Sequence, residues 1–225
     1  MKRSNRVAAF WNQPEQVERF AARAADKRLE ELLPTYRNPA QTRVLDLGCA
    51  GGRNTVLLAK HGFDVYAVDG SPAMVDKTRE RLAPWLSRKE AETRVRLGQM
   101  EELSDFADGF FHLVVALGIY HNATSPNQWQ AALRETARVL APAGLLLVSN
   151  FSPRSQPEGV PLTPVPGQPH LYTGFSSGPL YLLEADAFDA EMRRHGFQPV
   201  VPVETVKATT DAGFRVTVNG LYRKS

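Results

Sequence analysis

Two features of this 225-residue sequence could do chemistry. The first is a glycine-bearing turn, Val44-Leu-Asp-Leu-Gly-Cys-Ala-Gly-Gly-Arg-Asn-Thr55, where a short apolar run meets a helical one. Glycines at 48, 51 and 52 let the backbone take positive φ and let a ligand approach the main chain. The second is Asp69, which ends the next apolar run, 23 residues after Asp46. A carboxylate there can accept two hydrogen bonds from ribose hydroxyls, and it would repel a ribose phosphate. Turn and acid together predict a ligand that contains adenosine or a similar nucleoside, bound at the carboxyl ends of parallel strands. A dinucleotide turn reads G-x-G-x-x-G and sets a pyrophosphate on a helix N-terminus. Counted from Gly48, Ala50 and Arg53 stand where the second and third glycines would be, which argues against NAD.

The elements that must position these residues alternate along the chain. Strands are expected at Arg43–Leu47, Asp64–Asp69, 94–97, Phe111–Leu117 and 145–149. Between them, helices are expected at 53–61, closed by Gly62, and from the Ser71-Pro72 cap to Leu82. The Ser125-Pro126 cap starts another, with Trp129, Ala132, Leu133, Thr136 and Leu140 on one face. Such alternation implies right-handed crossovers and a mostly parallel sheet. A further helix is expected over residues 14–33. Late in the chain, Phe188 and Met192 mark a helix that starts acidic, ends basic and is capped by Gly196. An edge strand is expected at 199–203 and a last strand at 214–218. Residues 153–169 hold six prolines and no periodicity, and are expected to form neither strand nor helix.

Composition sets the outer bounds. With 43% hydrophobic and 23% charged residues, the chain reads as one soluble globular domain and not as a disordered one. The longest apolar stretch, from Leu113 to Ile119, is far short of a membrane span. Met1-Lys-Arg-Ser-Asn-Arg6 is basic, but no apolar run follows, so it is not read as a secretory signal. The single cysteine, Cys49, excludes a disulfide framework and a multi-thiolate metal site, and a cytoplasmic setting without a metal is expected. The net charge of +3 is spread over the chain with acids beside the bases, which argues against nucleic acid as a partner.

Asp46-Leu-Gly-Cys-Ala-Gly-Gly-Arg-Asn-Thr55, followed by Gly62-Phe-Asp-Val-Tyr-Ala-Val-Asp-Gly-Ser-Pro-Ala-Met74, resembles the class I S-adenosylmethionine-dependent methyltransferases. Three further segments match the family in order: Gly98-Gln-Met-Glu-Glu-Leu103, Gly109-Phe-Phe-His-Leu-Val-Val115 and Arg138-Val-Leu-Ala-Pro-Ala-Gly-Leu-Leu-Leu-Val148. Leu183-Glu-Ala-Asp-Ala-Phe188 and His195-Gly-Phe197 continue the match, which covers about residues 40–220. The resemblance implies an α/β fold with a seven-stranded, mostly parallel, doubly wound sheet, helices on both faces and the last strand antiparallel. Residues 1–39 would be an N-terminal helical cap. Residues 40–225 would form the methyltransferase domain, with a proline-rich lid insert at about 151–180.

The resemblance also implies roles. Gly48, Cys49, Ala50 and Gly51 would approach the methionine half of S-adenosylmethionine, and Asp46 and Asn54 would orient its amino group and the loop. Asp69 would take the ribose hydroxyls, Met74 would pack near the adenine, and the Met100 backbone and the Gln99 amide would meet its edge, with Gly70, Ser71 and Glu101 as further cofactor-binding residues. Leu117 and Gly118 would line the path to the sulfonium. The sequence departs from the family at Ala50, where a glycine is usual, and at Gln99, where an acid is usual. His121 is a candidate general base and Tyr120 a candidate catalytic neighbour, both just after the fourth strand. Phe10 and Trp11 could cover the donor, and Asn150, His170 and Tyr172 could reach a pocket. Leu117-Gly-Ile-Tyr120 lacks the Asn/Asp-Pro-Pro-aromatic motif of amino methylation on adenine, and the 51–55 helix start is similar to the small-molecule branch. The expectation is methyl transfer to a small-molecule acceptor by a monomer or homodimer. A protein- or RNA-directed methyltransferase, and a nucleotide-binding protein without methyl transfer, are the alternatives.

Overall fold

The structure is a computed structural model and describes residues 9–225. Five parallel strands form the centre of a sheet: β1 (Arg43–Leu47), β2 (Asp64–Asp69), β3 (Val95–Leu97), β4 (Phe111–Leu117) and β5 (Leu140–Phe151). A separate small antiparallel sheet follows, made of β6 (Thr163–Pro164), β7 (Leu171–Thr173) and β8 (Leu180–Tyr181). The chain then returns to the main sheet with β9 (Phe197–Pro199), β10 (Glu204–Thr209) and β11 (Phe214–Lys224). Seven strands run in the order β10-β11-β5-β4-β1-β2-β3, with the short β9 also paired to β11. The last strand, β11, is antiparallel to β5.

Seven α-helices have both ends within the described residues: α1 (Pro14–Ala21), α2 (Lys27–Leu32), α3 (Arg53–Lys60), α4 (Pro72–Leu82), α5 (Arg88–Arg94), α6 (Pro126–Val139) and α7 (Ala185–Arg194). They cover both faces of the sheet. On one face, Trp129, Ala132 and Leu133 of α6 and Phe188 and Met192 of α7 pack with Val114 and Ala116 of β4. On the other, Leu29 of α2, Leu58 of α3 and Val75 of α4 pack with Leu113 and Val115 of the same strand. The uninterrupted apolar run of β4 is the pattern of a strand buried on both sides. Ser71 and Ser125 cap α4 and α6 as their sequences predict, each accepting from a backbone N–H of the first turn.

Several local expectations are corrected. The helix expected over 14–33 is two helices. Asp26 caps α2 by accepting from Arg28 N, while its own N–H donates to Asn54 Oδ1 at 3.0 Å and Arg53 binds Ala24 O at 3.0 Å. The first core helix thus takes up the linker's polar groups and holds the break open. Helix α5 was not expected, although Ser87-Arg-Lys-Glu90 is a capping-box sequence and forms one. The edge strand at 199–203 is interrupted: β9 ends at Pro199 and pairing resumes at Glu204, with Pro202, which has no N–H, between them. Thr163–Pro164 does form a two-residue strand, at the edge of the small sheet where a proline is tolerated. The fifth strand runs well beyond 145–149 at both ends.

Candidate functional site

The chain leaves β1 at Leu47 and turns across the carboxyl end of β2. Gly48 and Cys49 donate to Val68 O at 2.8 and 3.2 Å. Gly48 has φ +77°, and a Cβ there would lie 2.8 Å from the Ile119 side chain. Ala50 sits in the left-handed region at φ +48°, which costs an alanine energy that glycine would not incur. Two bonds hold it there: its N–H donates to Asp69 Oδ2 at 2.8 Å, and its carbonyl accepts from Thr78 Oγ1 at 2.8 Å. A Cβ at Gly51 would meet the backbone of Ala21 in α1 at 2.8 Å, so this glycine is where the N-terminal helices dock.

Asp69 is clamped at the end of β2, with Oδ1 accepting from Ser71 N at 2.9 Å. Burial raises its pKa, opposed by the backbone N–H groups of Ser71, Ala50 and Gly70. A carboxylate oxygen can accept a second hydrogen bond beside the one that each takes here, so Asp69 can also accept from a ligand. Asp46 is fully buried, and its Oδ2 accepts from Thr55 Oγ1 at 2.6 Å. Burial pushes its carboxyl up to about 6. The Cys49 thiol is buried against Thr78 and raised well above its usual value, mainly by burial, so it is an inert packing group.

Two cavities lie at the carboxyl ends of the strands and adjoin. The first, of about 390 Å³, is walled by the glycine turn, the end of β2, the loop after β3 and the end of β4. The second, of about 600 Å³, lies between α1, α2, β5, β10, β11 and the segment 175–177 of the insert. Trp11, Phe20, Arg53, Leu117 and Gly118 line both. The roof is the N-terminal segment: Ser71 Oγ donates to Asn12 Oδ1 at 2.8 Å, and Trp11 meets Phe20 edge to face at 5.1 Å.

Of the residues singled out in the sequence, Gly48, Cys49, Ala50, Asn54, Asp69, Gly70, Ser71, Met74, Gln99, Met100, Leu117 and Gly118 line the first cavity. Asp46, Gly51 and Glu101 do not. Asp46 faces Thr55, Gly51 faces Ala21, and Glu101 Oε1 accepts from Gln128 Nε2 at 2.7 Å. These three brace the walls from behind. Tyr120 lines neither cavity. It is wholly buried, its hydroxyl 2.7 Å from Thr136 Oγ1, as expected for a large aromatic with a polar tip. His121 lines the second cavity, where its ring stacks on Phe151 at 4.4 Å. Its Nδ1 accepts from Phe151 N at 3.4 Å, and burial drives its pKa down to about 3. The ring is therefore neutral, with its one proton on Nε2, and it is poorly suited to act as a base.

Phe10, Trp11 and Asn150 reach the cavities, whereas His170 and Tyr172 do not. Sequence reasoning missed Asn122, whose Nδ2 donates to Gly118 O at 3.2 Å while its buried Oδ1 has no partner in the protein. It also missed Arg138, which fixes the loop after β3 by donating to Leu103 O at 2.9 Å and Phe106 O at 2.8 Å. The arginines of the second cavity were missed too. They come from α1, the linker after it, α2, α3 and β11, and no local pattern joins them.

Residues 44–144 match the family described as a methyltransferase domain. Over 134 residues the chain is 37% identical to the malonyl-[acyl-carrier protein] O-methyltransferase of Halorhodospira halophila, covering 58% of this chain and 41% of that protein. Over 83 residues it is 43% identical to the magnesium-protoporphyrin O-methyltransferase of Rhodobacter capsulatus, covering 36% and 34%. The chain thus spans less than half the length of these curated relatives. Its fold is shared with the 1,6-didemethyltoxoflavin-N1-methyltransferase of Burkholderia thailandensis, solved with 1,6-didemethyltoxoflavin and S-adenosylhomocysteine bound. That likeness has a TM-score of 0.69 at 20% identity and covers 98% of this chain and 87% of the other.

Proposed function

We propose that this chain, which carries a methyltransferase domain on the class I methyltransferase fold, moves a methyl group from S-adenosylmethionine to a small-molecule acceptor. The observation that carries the reading is Asp69: a carboxylate clamped by two backbone N–H groups on the wall of the first cavity, which can also accept from a ligand there. The residues present fit the donor. Gly48 leaves no room for a side chain where the methionine portion would pass. Asn122 Oδ1 offers a buried acceptor with no protein partner. Met74, Gln99 and Met100 would hold the adenine, and Asp69 the ribose hydroxyls.

S-adenosylmethionine supplies an activated methyl group, so the protein's work is positioning and exclusion of water. In the transfer, a lone pair of the acceptor forms the bond to the methyl carbon as the sulfur–methyl bond breaks, and that bonding pair stays on sulfur. Leu117 and Gly118, which line both cavities, would frame this line of attack. Trp11 and Phe20 close it from above. His121, neutral and protonated on Nε2, would donate a hydrogen bond to the acceptor and not withdraw its proton. Tyr120 is left with a packing role. The second cavity, of about 600 Å³, suits a small molecule, since pockets of about 300–1,000 Å³ are the usual size for one. In this reading the segment from Phe10 to Arg28 acts as the cap, and among the described residues the insert beyond β5 reaches the acceptor cavity through residues 175–177. A cytoplasmic setting is consistent with the lone buried thiol, and among the described residues no helix is long and apolar enough to cross a membrane.

Calorimetric titration with S-adenosylhomocysteine, with NAD in parallel, tests the reading. Micromolar binding that weakens by about tenfold or more in Asp69→Ala, with none for NAD, is expected, because hydrogen bonds to a charged acceptor contribute about 1.5–3 kcal/mol. Binding of NAD in place of S-adenosylhomocysteine would overturn it.

A further inference from the structure

The second cavity has a charge pattern that the methyl donor does not explain. Six cationic side chains line it against two carboxylates, Asp26 and Glu204. Asp26 is already taken by Arg28 at 2.8 Å. Among the described residues, Arg19, Arg23, Arg53 and Arg215 make no ion pair. Arg53 gives one N–H to Ala24 O, and Arg23 lies over the Phe20 ring at 4.2 Å. Arg215 lies over Phe151 at 5.6 Å, and its Nε is buried with no hydrogen-bond partner. Burial and the neighbouring guanidinium groups depress both Arg23 and Arg215, with only Glu158 acting the other way on Arg215.

The four arginines without an ion pair, Arg19 and Arg23 exposed and Arg53 and Arg215 half-buried, leave an excess of positive charge over Asp26 and Glu204, and both that crowding of like charges and the unpaired buried Nε of Arg215 cost stability. An oxyanion would offset both costs, since a guanidinium fork matches a carboxylate or phosphate with two parallel hydrogen bonds. Beside Arg215 the His121, Phe151 and Phe175 rings stack in series at 4.4 and 5.0 Å, inclined by only 17° and 16°, so the faces of Phe151 are taken within the stack and Phe175 ends it.

We propose, building on the methyltransferase reading above, that the acceptor is a small molecule with an apolar ring and a carboxylate or phosphate, the ring packing against the end of the aromatic stack at Phe175 and the anion held by Arg23 and Arg215. The rings place the acceptor beside Gly118 and Leu117, and the arginines fix which end faces the donor. Neither Arg23 nor Arg215 lines the donor cavity, so the two sites can be perturbed separately.

The test is calorimetric titration of the full chain, saturated with S-adenosylhomocysteine, with benzoate, phenyl phosphate and the neutral isostere benzamide. One or both anions are expected to bind at least about tenfold more tightly than benzamide. The better of the two identifies the anion as carboxylate or phosphate. Arg23→Gln and Arg215→Gln are expected to cut that binding about tenfold each, Arg215→Lys to restore part of it, and both Gln variants to keep S-adenosylhomocysteine affinity within about twofold. Benzamide binding as well as the anions, or no anion binding up to about 10 mM, would overturn the proposal. So would displacement of the anion by a single-stranded RNA oligomer, which would point to an open phosphate-binding face. Loss of S-adenosylhomocysteine binding in the unaltered protein would instead strike the methyltransferase reading, and anion binding there would still mark the cavity.

Discussion

Asp46→Asn should remove a pH dependence of stability that its burial creates. Asp46 is almost wholly buried, and its carboxyl is pushed from 3.8 up to about 6, by burial first, against the Thr55 hydroxyl and Arg53, with Asp69 adding to the rise. A raised acid pKa means that the folded chain keeps this proton after the unfolded chain has lost it. Between about pH 4 and 6 the native state therefore binds more protons, and stability falls as pH rises. The contribution is fully present below about pH 4 and lost above about pH 6, and a rise of that size amounts to about 3 kcal/mol. Asparagine can still accept from the Thr55 hydroxyl and does not titrate. Asp69 shifts in the same direction but is present in both proteins and largely cancels in their difference. The assay is urea unfolding of ligand-free protein and Asp46→Asn at several pH values. The stability of the unaltered protein relative to the variant should drop by about 3 kcal/mol from about pH 4 to pH 7. A difference that is flat with pH, or that grows with it, would show that the hydroxyl and Arg53 outweigh burial and would refute the argument.

Gly51→Ala should destabilise the fold by about 1–3 kcal/mol, because the new methyl would strike the backbone of α1 and not a yielding side-chain end. Urea unfolding measures the loss, and faster protease cleavage in the 22–26 linker would show that the cap has lifted. Tyr120→Phe should cost about 1 kcal/mol through the lost bond to Thr136 and leave methyl transfer at its original rate, so a large fall in kcat would return Tyr120 to the chemistry. His121 should stay neutral from about pH 5 to 8, seen as unchanged imidazole shifts in NMR, because burial holds its pKa near 3. Titration of that ring near pH 6.5 would mean that its cavity is wet.

The sequence exposed the donor side far better than the acceptor side, for a physical reason. The glycine turn, Asp69 and the two Ser-Pro caps are local devices: each needs its residue type for backbone geometry, and each lies within a few positions of what it shapes. The sheet followed from alternating runs whose burial β4 displays residue by residue. Asp46 and Gly51 were legible as part of the turn, but not as its inward-facing side, since only packing shows that they meet Thr55 and Ala21. The break between α1 and α2 is set by Arg53 and Asn54, about thirty residues away, and helix propensity alone runs through it. The arginine cavity was hidden for the same reason. Its four cations sit at positions 19, 23, 53 and 215 and meet only when β11 inserts beside β5.

The central claim is that the two cavities form one path, with donor and acceptor meeting at Leu117 and Gly118. The most direct measurement is isotope-filtered NMR of the protein bound to S-adenosylmethionine carrying a carbon-13 methyl. The account predicts methyl contacts to Leu117 and His121 and adenine contacts to Met74 and Met100. A methyl group that contacts only the first cavity, or adenine contacts among the arginines of the second, would contradict it.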